Sequence, residues 1–153
     1  MTQVVVLDSG PLGLLMQQRG VPPADACRVW MEARALGGSR FLVPEIADYE
    51  VRRELVRLNA HAAIARLDAF SNAVSGRYLP LTTVAMRRAA DLWADARRRG
   101  RPTADRHALD GDAILAAQIL SAGFDPAEFI VATTNVTHLS MWVPAEEWQR
   151  IGS

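Results

Sequence analysis

Residues Gln3 to Leu7 read QVVVL, and from Val4 onward the stretch is an unbroken run of branched apolar side chains. A run with no polar face predicts a strand buried on both sides, which requires covering layers above and below it. The chain that follows supplies them. Ser9-Gly10-Pro11 turns the backbone, and Leu12 to Gln18 reads as a short helix. Pro22-Pro23 opens another helix that runs to Leu36 and stops at Gly37-Gly38. Arg40 to Val43 is a second strand, Glu45 to Leu58 and His61 to Val74 are helices, and Tyr78 to Leu81 is a short third strand. Thr83 starts a long helix that ends near Gly100. A polar loop, Arg101 to His107, leads to an apolar helix, Ala113 to Leu120, and Phe129 to Ala132 is the last clear strand. Strands separated by helices need crossovers, so the reading is an α/β fold with a parallel sheet.

Several functions are excluded early. The chain of 153 residues suits one domain, 1–153, and half of its residues are hydrophobic, so it can bury a core without staples. One cysteine, Cys27, forms no internal disulfide and no Zn–thiolate cluster; it points to a reducing, cytoplasmic setting. No apolar run is long enough for a membrane span, and MTQVVVLDSG lacks the basic start of a signal peptide. All 17 basic residues are arginine, which removes a Walker P-loop and a Schiff-base lysine. Seventeen acids balance them, yet arginines crowd into MRRAADLWADARRRGRPTADRH, Met86 to His107. That local basic surface is either a solvated helix face or a place to meet phosphates.

In parallel sheets, ligands bind beyond the carboxyl ends of the strands. Asp8 stands at the first of these ends, in VVVLDSG, where it also suits the cap of the next helix. VPEIADYEVRREL follows the second strand and offers Glu45, Asp48, Glu50 and Glu54. At about 100° per residue, Ile46, Tyr49 and Val56 form one apolar stripe and Val51, Leu55 and Leu58 another. Glu50 lies between them, a turn nearer the strand than Glu54, either facing the site or paired with Arg53. LDGDAILAAQIL, Leu109 to Leu120, is almost wholly apolar but opens on Asp110 and Asp112. Residues two apart do not share a helix face. Asp110 fits an N-cap and Asp112 a first turn, where the helix dipole favours an anion. The final strand ends in Thr133, Thr134 and Asn135, either a polar turn or a place to hold water or phosphate oxygen. Carboxylates gathered at one sheet edge repel unless a cation joins them. Oxygen donors without a cysteine or histidine cluster suit Mg²⁺ or Mn²⁺, ions that polarise phosphoryl oxygens.

Taken in order, VVVLDSGPLG, VPEIADYEVRREL, LDGDAILAAQIL and VATTNVTHL span nearly the whole chain and resemble PIN-domain proteins, in particular the toxin ribonucleases of the VapC type. The resemblance implies a three-layer α/β/α sandwich, metal-dependent endonucleolytic cleavage of RNA, a cognate antitoxin protein and a homodimer. It places Asp8, Glu50 and Asp112 as the acids that hold Mg²⁺ or Mn²⁺, and Asn135 as the asparagine of a Thr-x-Asn motif. The family often carries a further Asp where this chain has His138. Asp110 is then a candidate to supply that charge, and His138 a candidate to contact substrate. Thr134, Arg97, Arg98 and Arg101 complete the expected RNA contacts. The alternative is a PIN-like module that binds RNA or a partner protein without cutting. A haloacid-dehalogenase-type phosphatase needs an Asp at position 10, which is Gly, and a receiver domain needs a lysine. Trp142 and Trp148 near the C-terminus are expected in the core, or at an interface with a partner.

Overall fold

The β-branched run does form a doubly covered strand. In the computed structural model, which describes residues 3–100 and 106–152, β1 (Val4–Leu7) is central in a five-stranded, all-parallel sheet. Its neighbours are β2 (Arg40–Pro44) and β4 (Phe129–Thr133), with β3 (Tyr78–Leu79) and β5 (Ala145–Glu147) at the edges, in the order β3-β2-β1-β4-β5. Val4 is in register with Arg40 on one side and Phe129 on the other.

Successive strand residues point to opposite faces, and the two faces build two cores. Val5, Leu7, Phe41 and Val43 pack with Leu12 and Leu15 of α1 (Ser9–Met16), Cys27 of α2 (Pro22–Leu36) and Leu67 of α4 (His61–Asn72). Val4, Val6, Leu42 and Val131 pack with Leu115, Ala116 and Ile119 of α6 (Arg106–Ser121) and Leu139 of α7 (Val136–Leu139). The helix α5 (Thr83–Arg98) lies against α6 and adds Leu92 to this second core. The result is an α/β/α sandwich. The helix α3 (Glu45–Arg57) leaves the end of β2 and gives Ile46 to one core and Ala47 and Val51 to the other.

Local chemistry explains the helix ends. Asp8 caps α1 by accepting from the Ser9 N–H at 2.8 Å, and Thr82 caps α5 by accepting from Ala85 at 3.0 Å. Pro22 stands at the first position of α2, and Gly38, at φ 94°, turns the chain after it. Proline precedes α3 and gives no cap. Gln118 of α6, almost fully buried, takes that role: its Oε1 accepts from the Ile46 N–H at 3.1 Å, and its Nε2 donates to the Leu79 carbonyl at 2.9 Å.

Three expectations are corrected. First, α6 begins at Arg106, not beside Ala113, so Asp110 is no N-cap and Asp112 is beyond the first turn. The polar residues before Leu109 read as loop, but fully buried Leu109 phases the helix from its start, with Ala113 and Ala116 beneath it. Second, Tyr49 and Val56 do not continue an apolar stripe from Ile46. Both are exposed, and Arg53 lies over the Tyr49 ring at 5.3 Å. Ile46 reaches the core because it sits at the strand end, and the later turns of that face leave it. Third, β5 follows β4. Its sequence, Ala-Glu-Glu, has no apolar alternation, and its pairing is set by the backbone it lies beside. Trp148 after it is buried against Trp30, whose indole N–H donates to the Ile151 carbonyl at 3.1 Å. Trp142 is half-buried on the second core.

Candidate active site

Parallel strands end together, so β1 and β4 deliver their last residues to one edge of the sheet. Asp8 is buried there directly after β1. One carboxylate oxygen accepts from Ser9, as above, and the other accepts from the hydroxyl of Thr133, the last residue of β4, at 2.8 Å. Capping and site placement therefore coincide in one side chain. Thr133 is fully buried, and its Oγ1 also accepts from the Asn135 N–H at 3.0 Å. Two hydrogen bonds favour the Asp8 carboxylate, yet burial outweighs them and holds its pKa above the ordinary value.

Glu50 reaches the same edge from α3. It is half-buried, and Arg53 stands 3.8 Å from its Oε2, so it both faces the site and has a loose helical partner. Burial raises its pKa, the Asp8 charge raises it further, and Arg53 opposes both. Asp112 comes from α6. Burial comes first, then the charges of Asp8 and Glu50, and together they push its pKa up to about 7. Three elements thus bring three acids close enough to oppose one another's ionisation. The gap between Asp110 and Asp112 has a purpose as well. A Cβ on Gly111 would stand 3.1 Å from Glu50 Oε2 and 3.3 Å from Oε1. A side chain there would press on the Glu50 carboxylate.

Asp110 does not join this group. It is turned about 200° from Asp112 around α6. It is exposed and lines a cleft of about 260 Å³ between α5 and α6 with Met86, Ala89, Trp93, Ala113 and Ile114. Thr134 and Asn135 are exposed just past β4. Gly10 lets Thr134 lie against α1, since a Cβ there would meet the threonine side chain at 2.7 Å. His138, on α7, stands with Nδ1 3.2 Å from Asp112 Oδ2, and both side chains are largely withdrawn from solvent. Arg97 and Arg98 are exposed in the last turn of α5, with Arg97 over the Trp93 ring at 5.4 Å. Arg101 is outside the described residues. Asp48, by contrast, is buried in a structural chain: Arg52 binds it at 2.8 Å and reaches Asp68 of α4 at 2.6 Å. Cys27 is buried beside the Pro11 carbonyl, and burial pushes its thiol up to about 12, as suits an inert core residue.

Sequence reasoning missed Thr133 as the clamp on Asp8, Gly111 as the space for Glu50, and Gln118 as the brace that fixes where α3 begins. The sequence signal for Gln118 was a lone amide in an otherwise apolar helix.

The donor chemistry fits a hard divalent cation: carboxylate oxygens, withdrawn from water, with a mutual repulsion that Arg53 offsets in part. Among the described residues, no three acidic, imidazole or thiol groups stand close enough together, as placed, to hold an ion. The donors are assembled at one edge without being drawn into a shell.

No family model and no curated protein sequence matches the chain. Solved structures do. VapBC2 from Rickettsia felis, bound to a promoter DNA fragment, matches with a TM-score of 0.70 and 11% identity over 95% of this chain and 99% of that one. FitAcB from Neisseria gonorrhoeae matches at 0.66 and 16%, over 95% and 99%. VapBC-1 from nontypeable Haemophilus influenzae matches at 0.62 and 16%, over 97% and 100%. At such identities the likeness is one of fold, and the chain shares the fold of the VapC-type PIN domain.

Proposed function

We propose that the chain is a divalent-metal-dependent endoribonuclease, the toxin of a toxin–antitoxin pair, that hydrolyses RNA phosphodiester bonds at the edge where β1 and β4 end. The observation that carries this reading is the convergence on one sheet edge of Asp8, Glu50 and Asp112, buried or half-buried acids from three different elements, placed so that their charges disfavour one another's ionisation. A structural role explains one such acid as a cap. It leaves the other two as poorly compensated charges in a desolvated place, where such carboxylates are costly.

Asp8, Glu50 and Asp112 would hold Mg²⁺ or Mn²⁺. Such an ion supplies Lewis acidity toward a phosphoryl oxygen. The chain does the rest. Thr133 fixes Asp8 so that its carboxylate needs no reordering when substrate arrives. Thr134 and Asn135, exposed beside it, orient the phosphate or a water. Arg97 and Arg98 follow the RNA backbone by charge. Asp110 is at most an accessory acid, as it faces the α5/α6 cleft. The shared fold is seen in structures named as two-component VapBC and FitAcB complexes. That supports a partner antitoxin here. The same likeness supports proposing a homodimer, and the single cysteine supports proposing a reducing, cytoplasmic setting. Among the described residues, no helix is long and apolar enough to cross a membrane.

A second reading keeps the site but not the reaction: a module that binds metal and RNA or a partner protein without cutting. The wide spacing of the donors favours it. One experiment separates the two. End-labelled mixed RNA is incubated with purified protein in Mn²⁺, in Mg²⁺ and in EDTA, beside identically purified Asp8→Asn and Asp112→Asn. The nuclease reading expects metal-dependent cutting that drops at least about 100-fold in both variants. Equal cutting by all three proteins would reveal a contaminant and remove the assigned site. Metal binding with no cutting would favour the module.

A further inference from the structure

We propose that the cavity between α3, α4 and the start of β3 is a binding site for a small aliphatic diamine, held by its two ammonium ends. The inference is independent of the nuclease reading and of the acidic edge. The cavity has a volume of about 430 Å³, within the range of about 300–1,000 Å³ usual for small-ligand sites. It lies on the far side of α3 from Glu50, which is turned about 200° around the helix from both Asp48 and Arg52. Glu45, Asp48 and Arg52 line it from α3, and Asp68 and Ser71 from α4. Residues three, four and seven apart share a helix face, so each helix turns one polar face to this space.

The first support is charge. Asp48 and Asp68 share one guanidinium: Arg52 Nε stands 2.8 Å from Asp48, and its Nη2 stands 2.6 Å from Asp68. Glu45 accepts instead from the Leu81 N–H at 2.7 Å, which brings no charge. Three carboxylates thus face one cation, and three against one leaves an excess of two negative charges. A single ammonium or guanidinium group would balance one of them, whereas a dication balances both. No three of the acids stand close enough to share a metal ion, but a flexible methylene chain spans separated carboxylates. Tyr49 and Tyr78 also line the cavity, and aromatic walls suit both the chain and a cation beside them. Burial, then the Glu45 carboxylate, pushes the Tyr78 hydroxyl up to about 12, so it stays a donor at neutral pH. The second support is Ser71. It lines the cavity, is only 6% exposed, and its Oγ has no hydrogen-bond partner among the described residues. A buried hydroxyl without a partner is costly. An ammonium end placed between Ser71 and Asp68, one turn apart on α4, supplies that partner.

Calorimetry on the full chain, in EDTA and at fixed ionic strength, measures the binding of putrescine, a dication at neutral pH. Butylamine offers the same chain with one charge, and N-acetylarginine amide stands for the basic side chain of a protein. Wild type is compared with Asp68→Asn, Ser71→Ala, Asp8→Asn and Asp91→Asn, each checked for folding by circular dichroism. The proposal expects one putrescine per chain, with butylamine at least about tenfold weaker. Asp68→Asn should lose at least about tenfold in affinity, and Ser71→Ala about threefold or more. Without putrescine, Ser71→Ala should be at least as stable as wild type, because it deletes a hydroxyl that has no partner there. Asp91, exposed on α5, controls for overall charge, and Asp8 for the acidic edge; neither substitution should change the affinity. Failure of wild type to bind putrescine would overturn the proposal, as would equal losses in Asp68→Asn and Asp91→Asn. Loss in Asp8→Asn alone would overturn it by moving the diamine to the acidic edge. Tighter binding of the arginine amide than of putrescine would overturn it by reassigning the cavity to a partner protein's side chain.

Discussion

Asp112 is a carboxyl group whose folded surroundings resist its charge, and that resistance has a sign. Its pKa is about 7 in the folded chain and near 3.8 as an ordinary carboxyl. Between roughly pH 4 and 7 the folded protein holds a proton that the unfolded chain has released, so stability contributed at this site falls as pH rises through that window. Asp8 and Glu50 are displaced in the same direction. A tenfold change in a group's proton affinity is worth about 1.4 kcal/mol, and the mutual coupling of the three acids argues for roughly half of the full amount at Asp112. Asp112→Asn is therefore expected to stabilise the metal-free protein by about 2 kcal/mol at pH 7.5. That gain should shrink as pH falls and vanish only below about pH 3.5, where the wild-type carboxyl is protonated in both the folded and the unfolded chain. Urea melts in EDTA at the two pH values measure this. Equal stabilities at pH 7.5 would mean that neither burial nor the neighbouring acids resist the Asp112 charge. The acids themselves were legible, because a charge directly after a buried strand or within an apolar helix stands out in sequence. Gly111 was not, since a glycine between two acids reads as a helix start. Its effect is just as specific. Gly111→Ala is expected to leave stability unchanged or raise it by up to about 1 kcal/mol through helix propensity. Its Cβ would displace the Glu50 carboxylate, so RNA cleavage should fall about tenfold, a change of about 1.4 kcal/mol in the barrier. Unchanged cleavage would mean that the Glu50 carboxylate yields to the added methyl group without leaving its working position.

At the scale of elements, β1, β2, β4 and α2 were read nearly to the residue, whereas α1 begins at Ser9, inside the expected Ser9-Gly10-Pro11 turn, and ends at Met16 rather than Gln18, because Asp8 caps it directly from the strand end. The helix α2 matches its expected Pro22 to Leu36 span because proline starts it and Gly37-Gly38 ends it. Two helix starts are fixed by tertiary packing, although that of α3 at Glu45 was already legible in the sequence. The helix α6 starts early because Leu109 finds the core, and α3 starts where it does because Gln118 reaches across from α6. The latter case makes a sharp prediction. Gln118→Leu keeps the volume but leaves the Ile46 N–H buried without its acceptor and the Leu79 carbonyl without its donor. An orphaned buried polar group costs about 1–3 kcal/mol, so a loss of about 3 kcal/mol is expected in chemical denaturation. Gln149→Leu, on the exposed side of the chain, serves as the control and should change little. A neutral Gln118→Leu would mean that α3 is positioned by apolar packing alone, through Ile46, Ala47 and Val51. The same shift should weaken cleavage, since Glu50 rides on α3 one turn beyond the brace.

For the whole molecule, the sheet was legible from its buried runs, while the edge strand β5 was not, because Ala-Glu-Glu pairs through its backbone. The convergence of the acids was likewise a property of strand order, not of any one segment: β1 and β4 must be adjacent before Asp8 and Thr133 can meet. That convergence leaves the metal-free protein with a repulsion that a bound cation relieves, and the relief is measurable globally. A ligand that binds only the folded state at about 100 times its Kd adds about 2.7 kcal/mol. For a chain of this size each kcal/mol raises Tm by about 2–4 °C. Saturating Mn²⁺ at pH 7.5 is therefore expected to raise the wild-type Tm by about 5–10 °C. Asp8→Asn should lose most of this rise. Asp112→Asn should start from a higher metal-free Tm and gain little, since the substitution has already relieved the repulsion and removed a ligand. Near pH 5 the wild-type rise should shrink, because protons compete with the ion for the same carboxylates. An equal rise in all three proteins at both pH values would place the cation elsewhere on the surface and detach it from the edge where β1 and β4 end.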